Sequence, residues 1–319
     1  MINDKEMEKL THTLDEMFNE VGRLESVIKS FGQTERFYIS REIISKLKIL
    51  ISDTTKTNDL LSKYATLRYI LETLIIVKLL NLEETYTFKL YYSIFLVQVE
   101  KTVKFISRIN KETEIAKKYD EREKKEQEEL MSRINVKTDF KFYHEERNKI
   151  TAKIDSDSDF ESVIFWGDYK NNGYGFTSYL IETKIKSEYE KRLEELTEKL
   201  NQVKTKVYND GRINSLFCFT SLEDVYAKLK DRRRWSDKAQ AVGLENDYEL
   251  IYDLSSSIIH STVYSLFTDN DLKESDTNLV STLAIRYINN IVRELKTYLT
   301  IDKLGQFVIV NLTEEDEKE

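Results

Sequence analysis

Tyr248, Tyr252, Ser256 and His260 recur every four residues in ENDYELIYDLSSSIIHSTVYSL. On a helix that spacing lines two phenols, a hydroxyl and an imidazole along one face, while Leu250, Leu254, Ile258 and Ile259 fall mostly elsewhere. An imidazole accepts and donates protons near neutral pH, and a nearby hydroxyl or phenol can orient the ring or its ligand. Far upstream, Arg68 and Glu72 share a face of ATLRYILETLIIVKLL, a segment apolar nearly all round and so expected to be buried. Buried charges need partners, which makes this helix the expected neighbour of the polar ladder. Arg68 would hold a phosphate or carboxylate, His260 would move a proton, and Glu72, Tyr252 and Ser256 would orient the pair. The chemistry open to such a set is phosphodiester cleavage or anion binding. The competing reading is a structural network in which Glu72 satisfies both Arg68 and His260.

A second candidate is Arg232, Arg233 and Arg234 followed by Trp235. Three guanidinium groups beside an indole could grip RNA phosphates or a nucleotide and stack a base. The plainer reading is a solvated helix end with Trp235 in the core. No two of the three histidines, His12, His144 and His260, stand at a metal-ligand spacing, and no cysteine pair exists, so neither a metal site nor a cofactor is expected. Phosphate-binding glycine loops and nucleophile elbows are absent, and GYG at Gly173 reads as a turn. Cys218, the single cysteine, lies in the apolar run SLFCFTSL and reads as a buried, inert thiol.

The elements that must position these groups are helices. Among 319 residues there is no proline and only 8 glycines, and 40% of the chain is hydrophobic, which predicts an all-α protein with a proper core. A net charge of -8 argues against a protein that coats nucleic acid non-specifically, although a local basic patch is compatible with it. The charged N-terminus lacks a signal-peptide core, and the most apolar stretches are interrupted by charges. No membrane span and a cytoplasmic location are therefore expected. Residues 1–58 read as N-terminal helices, and 59–109 with 214–300 as the helical core that carries the polar motifs. Residues 110–213 read as a charged helical insertion or arm, and 301–319 as a C-terminal tail. Within the insertion, 110–133 reads as a solvated helix and 135–177 as turns with irregular or extended residues. Ile185, Tyr189, Leu193, Leu196, Leu200, Val203 and Val207 then form a coiled-coil-like seam that would pack on the core or join a homodimer or protein partner. FVIV at 307–310 is the one candidate strand.

Arg68 and Glu72 in LRYILETLIIVKLL, then Trp235 upstream of YDLSSSIIHSTVYSL, resemble an uncharacterised bacterial family. Its marks are an Arg-x3-Glu helix and a later Tyr-x3-Ser-x3-His helix, here Tyr252, Ser256 and His260, and it is related to the HEPN helical fold. The resemblance covers roughly Leu60 to Ile106 and Leu216 to Leu299. It implies a HEPN-like bundle with a long charged insertion and at most minor strand content. It also implies an effector of antiviral defence, abortive infection or toxin systems, where many members are metal-independent ribonucleases. HEPN ribonucleases carry an arginine followed after four to six residues by a histidine. No arginine occurs from Asp253 to Ile259, so Arg68 or Arg232 to Arg234 would have to serve from another helix. The alternative is a non-catalytic interaction or ligand-sensing module, or a structural subunit of a defence complex.

Overall fold

With nothing in the sequence to stop long helices, the chain forms them almost throughout. The computed structural model describes residues 4–27, 32–56, 59–134, 140–259 and 274–300, and no strand occurs among them. The protein is all-α. The 307–310 segment, the acidic tail and His260 lie outside the described residues. Contacts divide the chain into two units, Met1–Ser93 with Lys204–Glu319, and Ile94–Val203.

The first unit is built around α3 (Leu60–Leu82). The Asp59 side chain caps this helix by accepting from the Ser62 N–H at 2.8 Å. Leu67, Ile70, Leu71, Leu74, Ile75, Val77, Leu79 and Leu80 are all buried, so apolar groups leave this helix over most of its circumference. It must be enclosed over most of its surface, while a strip that includes Ala65 and Tyr69 stays open. Its neighbours are α2 (Gln33–Lys56), α11 (Trp235–Ala241), α12 (Glu245–Ile259) and α13 (Glu274–Thr300). α1 (Asp4–Val27) buries Leu10, Leu14, Met17, Val21 and Leu24, a three-and-four spacing, and packs on α2 and α13. Polar links fix the register between elements. Asn81 Nδ2 donates to the Glu294 carbonyl at 2.9 Å and to its carboxylate at 2.8 Å. Thr87, at the start of α4 (Tyr86–Arg133), shares a 2.7 Å hydrogen bond with the Tyr298 hydroxyl. Cys218 departs from expectation, because it is exposed. It ends α9 (Gly211–Phe217) in the left-handed conformation, φ 51°, which turns its side chain outward while Phe219 takes the buried place.

The second unit has a core of its own, made by Ile109, Ala116, Tyr119, Ile154, Phe165, Tyr169, Tyr174 and Ile181. Residues 110–133 are helical as expected, but that stretch is not solvated all round. Glu112, Ala116 and Tyr119 are buried. The region from 140 to 177 is also more ordered than its turn-rich composition predicts. It forms α5 (Phe140–Ser158), α6 (Trp166–Asn172) and most of α7 (Tyr174–Leu180). Gly173, at φ 78°, is the hinge between the last two, which confirms the turn there. A single π-helical turn, Ile181–Ile185, joins α7 to α8 (Lys186–Asn209). The seam on α8 is used inside the chain. Leu196, Val203 and Val207 are buried, and the Tyr189 ring lies 4.6 Å from that of Phe105. That burial needs no second protomer.

Glu112 is the polar centre of this unit. Its side chain is fully buried, and it accepts from the Val163 N–H at 3.0 Å, Ser162 Oγ at 2.8 Å and Tyr169 Oη at 3.0 Å, with Arg108 as ion-pair partner. Burial pushes the Glu112 carboxyl up, but these donors together hold it below the usual carboxylate range. A carboxyl depressed in the folded state stabilises the fold above its unfolded pKa, and that contribution fades as pH falls through the folded value. Glu112→Gln is expected to lower stability by about 2 kcal/mol at pH 7. It should also flatten the loss of stability below about pH 4.3. Urea unfolding followed by Trp166 fluorescence, with Trp235→Phe removing the other indole, reads both effects.

Candidate functional site

α12 lies against α3, and its N-terminal turn is tied to α13. Asp247 accepts from Tyr287 Oη at 2.6 Å and pairs with Arg286. One residue later the polar face begins. Tyr248 is buried, whereas Tyr252, one turn on, is 38% exposed, and their rings lie 5.6 Å apart at 31°. Arg68, from α3, places its guanidinium carbon 4.6 Å over the Tyr252 ring. Its Nε donates to Glu72 Oε1 at 2.9 Å, with the two side chains 26% and 20% exposed. The Tyr248 phenol is pushed up, first by burial and then by the Glu72 charge, with Arg68 acting in the opposite direction. The result is a layered cluster of cation, carboxylate and two tyrosines at the edge of the core. A guanidinium presented on an aromatic face is suited to an oxyanion.

The structure thus brings together Arg68, Glu72 and Tyr252 of the expected set. Ser256 is half-buried on the same helix, while Ser255 turns to the core and donates to the Tyr252 carbonyl at 3.1 Å. His260, which follows α12 in sequence, is outside the described residues. Tyr248 belongs with the cluster although only the ladder spacing pointed to it. Exposed Tyr69 on α3 and Leu250 on α12 carried no sequence signal of their own.

The arginine triplet separates into different environments. Arg233 donates from Nε to Asp231 Oδ1 at 3.0 Å and from Nη2 to Asp231 Oδ2 at 3.1 Å, and it also pairs with Glu83. Lys238 Nζ joins Asp231 at 3.1 Å and lies 5.1 Å from the Trp235 ring centre. Burial pushes the Asp231 carboxyl up, yet Arg233 and Lys238 outweigh it and hold it at about 2. Arg233 is therefore spent on two carboxylates, and Trp235 packs half-buried against the core. Arg232 and Arg234 point to solvent. Of the expected phosphate-gripping group, only these two are open.

No group of three or more His, Cys, Asp or Glu side chains that could hold a metal occurs among the described residues, nor does any helix among them long and apolar enough to cross a membrane. A cavity of about 20 Å³ beside Gln33, Arg36, Thr87 and Tyr298 has room for little more than a water molecule. No family model, curated protein or solved structure matches the chain.

Arg233→Ala strips partners from Asp231 and Glu83, and a loss of about 2 kcal/mol is expected. Arg232→Ala and Arg234→Ala are expected to stay within about 0.5 kcal/mol of the parent. Thermal or urea melts of the three variants test this division of the triplet.

Proposed function

We propose that the chain is a HEPN-like bacterial defence or toxin-type effector whose α3–α12 face meets RNA, and that it cleaves RNA without a metal. The observation that carries this reading is Arg68, held over the exposed Tyr252 ring beside Glu72 and Tyr248. In the proposed reaction, His260 takes the proton from a ribose 2′-hydroxyl as that oxygen attacks phosphorus. The bond to the 5′-oxygen breaks and that oxygen receives a proton from the imidazolium. The products are a 2′,3′-cyclic phosphate and a free 5′-hydroxyl. Arg68 neutralises the charge that grows on the phosphoryl oxygens, and Glu72, Tyr252 and Ser256 orient the pair. Arg232 and Arg234 are available to hold flanking phosphates, beside Trp235.

A second reading is favoured by one specific contact. Arg68 is already paired with Glu72, an arrangement that suits a non-catalytic ligand-sensing or interaction module as well as an enzyme. The two are separated by incubating purified protein with total cellular RNA and labelled tRNA, without added metal. Under the enzyme reading the parent cleaves, and His260→Ala and Arg68→Ala each lose about 100-fold or more, with unchanged melting temperature and oligomeric state. A folded parent that leaves RNA intact would give the sensing module precedence.

A further inference from the structure

The Arg68–Glu72 contact bears on which ligand this face takes and on what holds the site before the ligand arrives, an inference that rests on the reading of the α3–α12 face above. A carboxylate offers a guanidinium the same kind of planar pair of acceptor oxygens as two oxygens of a phosphate group. Glu72 stands one helical turn from Arg68, so leaving that seat requires a change in its own side-chain torsions and no movement of α3. The pair is not sealed in the core, since about a quarter of Arg68 and a fifth of Glu72 reach solvent, so an outside anion can approach it. Tyr252 holds the guanidinium from below at 4.6 Å, through its ring face, so the cation keeps its place if its anion changes.

We infer that Glu72 is an internal surrogate for a phosphate group, orienting Arg68 in the empty site until the phosphate of a nucleotide or of RNA displaces it from that seat. Glu72 is then a determinant of affinity, because each binding event must break one anion contact to make another. It also sets selectivity, because neutral ligands and lone weak anions do not displace it. Tyr252 acts as a positioning residue that keeps the guanidinium in register during the exchange.

The test measures binding of three probes, a labelled ten-nucleotide single-stranded RNA, 5′-AMP and inorganic phosphate, to the full chain and to Glu72→Gln. Glutamine preserves shape and removes the charge, and Glu72→Ala serves as a second variant if glutamine perturbs the melt. The expected result is roughly fivefold tighter binding by Glu72→Gln. Adding Arg68→Ala or Tyr252→Ala to Glu72→Gln should abolish that gain, whereas adding Tyr252→Phe should preserve it. A gain confined to RNA identifies a phosphodiester as the displacing group, and a gain shared by 5′-AMP and inorganic phosphate identifies a phosphate monoester or free phosphate. Unchanged or weaker binding by Glu72→Gln, with Arg68→Ala still weakening the parent, overturns the surrogate role and leaves the binding face standing. Binding that is indifferent to both Arg68 and Glu72 overturns the face itself.

Discussion

A helix that is apolar around most of its circumference has little surface to give to water, and the first unit is arranged to meet that demand. Each fully buried leucine or isoleucine of α3 contributes about 1.5–3 kcal/mol relative to exposure. The gain is realised only because α2, α11, α12 and α13 pack against it. The same enclosure dictates where polar groups on α3 can survive. Asn81 survives by bonding Glu294 on α13. Arg68 and Glu72 survive by pairing with each other where α3 meets α12, close enough to the edge for partial hydration. The candidate site thus lies on the partly open side of α3, where Tyr69 is exposed as well.

That much was legible in the sequence because α3 has an unusual pattern. A run such as ILETLIIVKLL has almost no polar stripe, and burial over most of its surface follows directly from it. The part of the ladder that α12 carries, Tyr248, Tyr252 and Ser256, was legible for a similar reason, since its period matches the helix. What stayed hidden depended on partners distant along the chain. Glu112 sits in a strongly charged stretch, and its burial is made tolerable by Ser162, Val163 and Tyr169, some 50 residues away. Side-chain type alone pointed to solvent there, and only the tertiary donors reverse that. Cys218 was misread for a local reason. Hydrophobic neighbours pointed inward, but the left-handed residue that ends α9 sends the chain and its thiol in another direction.

The arginine triplet shows why composition cannot assign a binding role. Arg232, Arg233 and Arg234 have the same chemistry and adjacent positions, yet the middle one is committed to Asp231 and Glu83. Those carboxylates come from its own segment and from the residue after α3, 150 positions earlier. Arg233 therefore joins the α11 segment to the end of the central helix, and its charge is neutralised locally. The extended backbone around it turns the neighbouring side chains away from that pair, which leaves Arg232 and Arg234 in water.

Arg68 differs from Arg233 in a way that bears on function. Both contact a carboxylate and a tyrosine ring, but Arg233 has two carboxylates, one of them nearly buried, whereas Arg68 has the single, partly exposed Glu72. Arg233 holds two carboxylates at once, and Asp231, 9% exposed, would be left poorly hydrated without it, so that network resists exchange with external anions. Losing the Glu72 contact leaves both charges within reach of water, so the barrier to substituting another anion is low. The two arginines are therefore separated by how many carboxylates each holds and by the burial of Asp231, since Arg233 itself is no less exposed than Arg68. By that criterion, the α3–α12 face is where an outside ligand can compete.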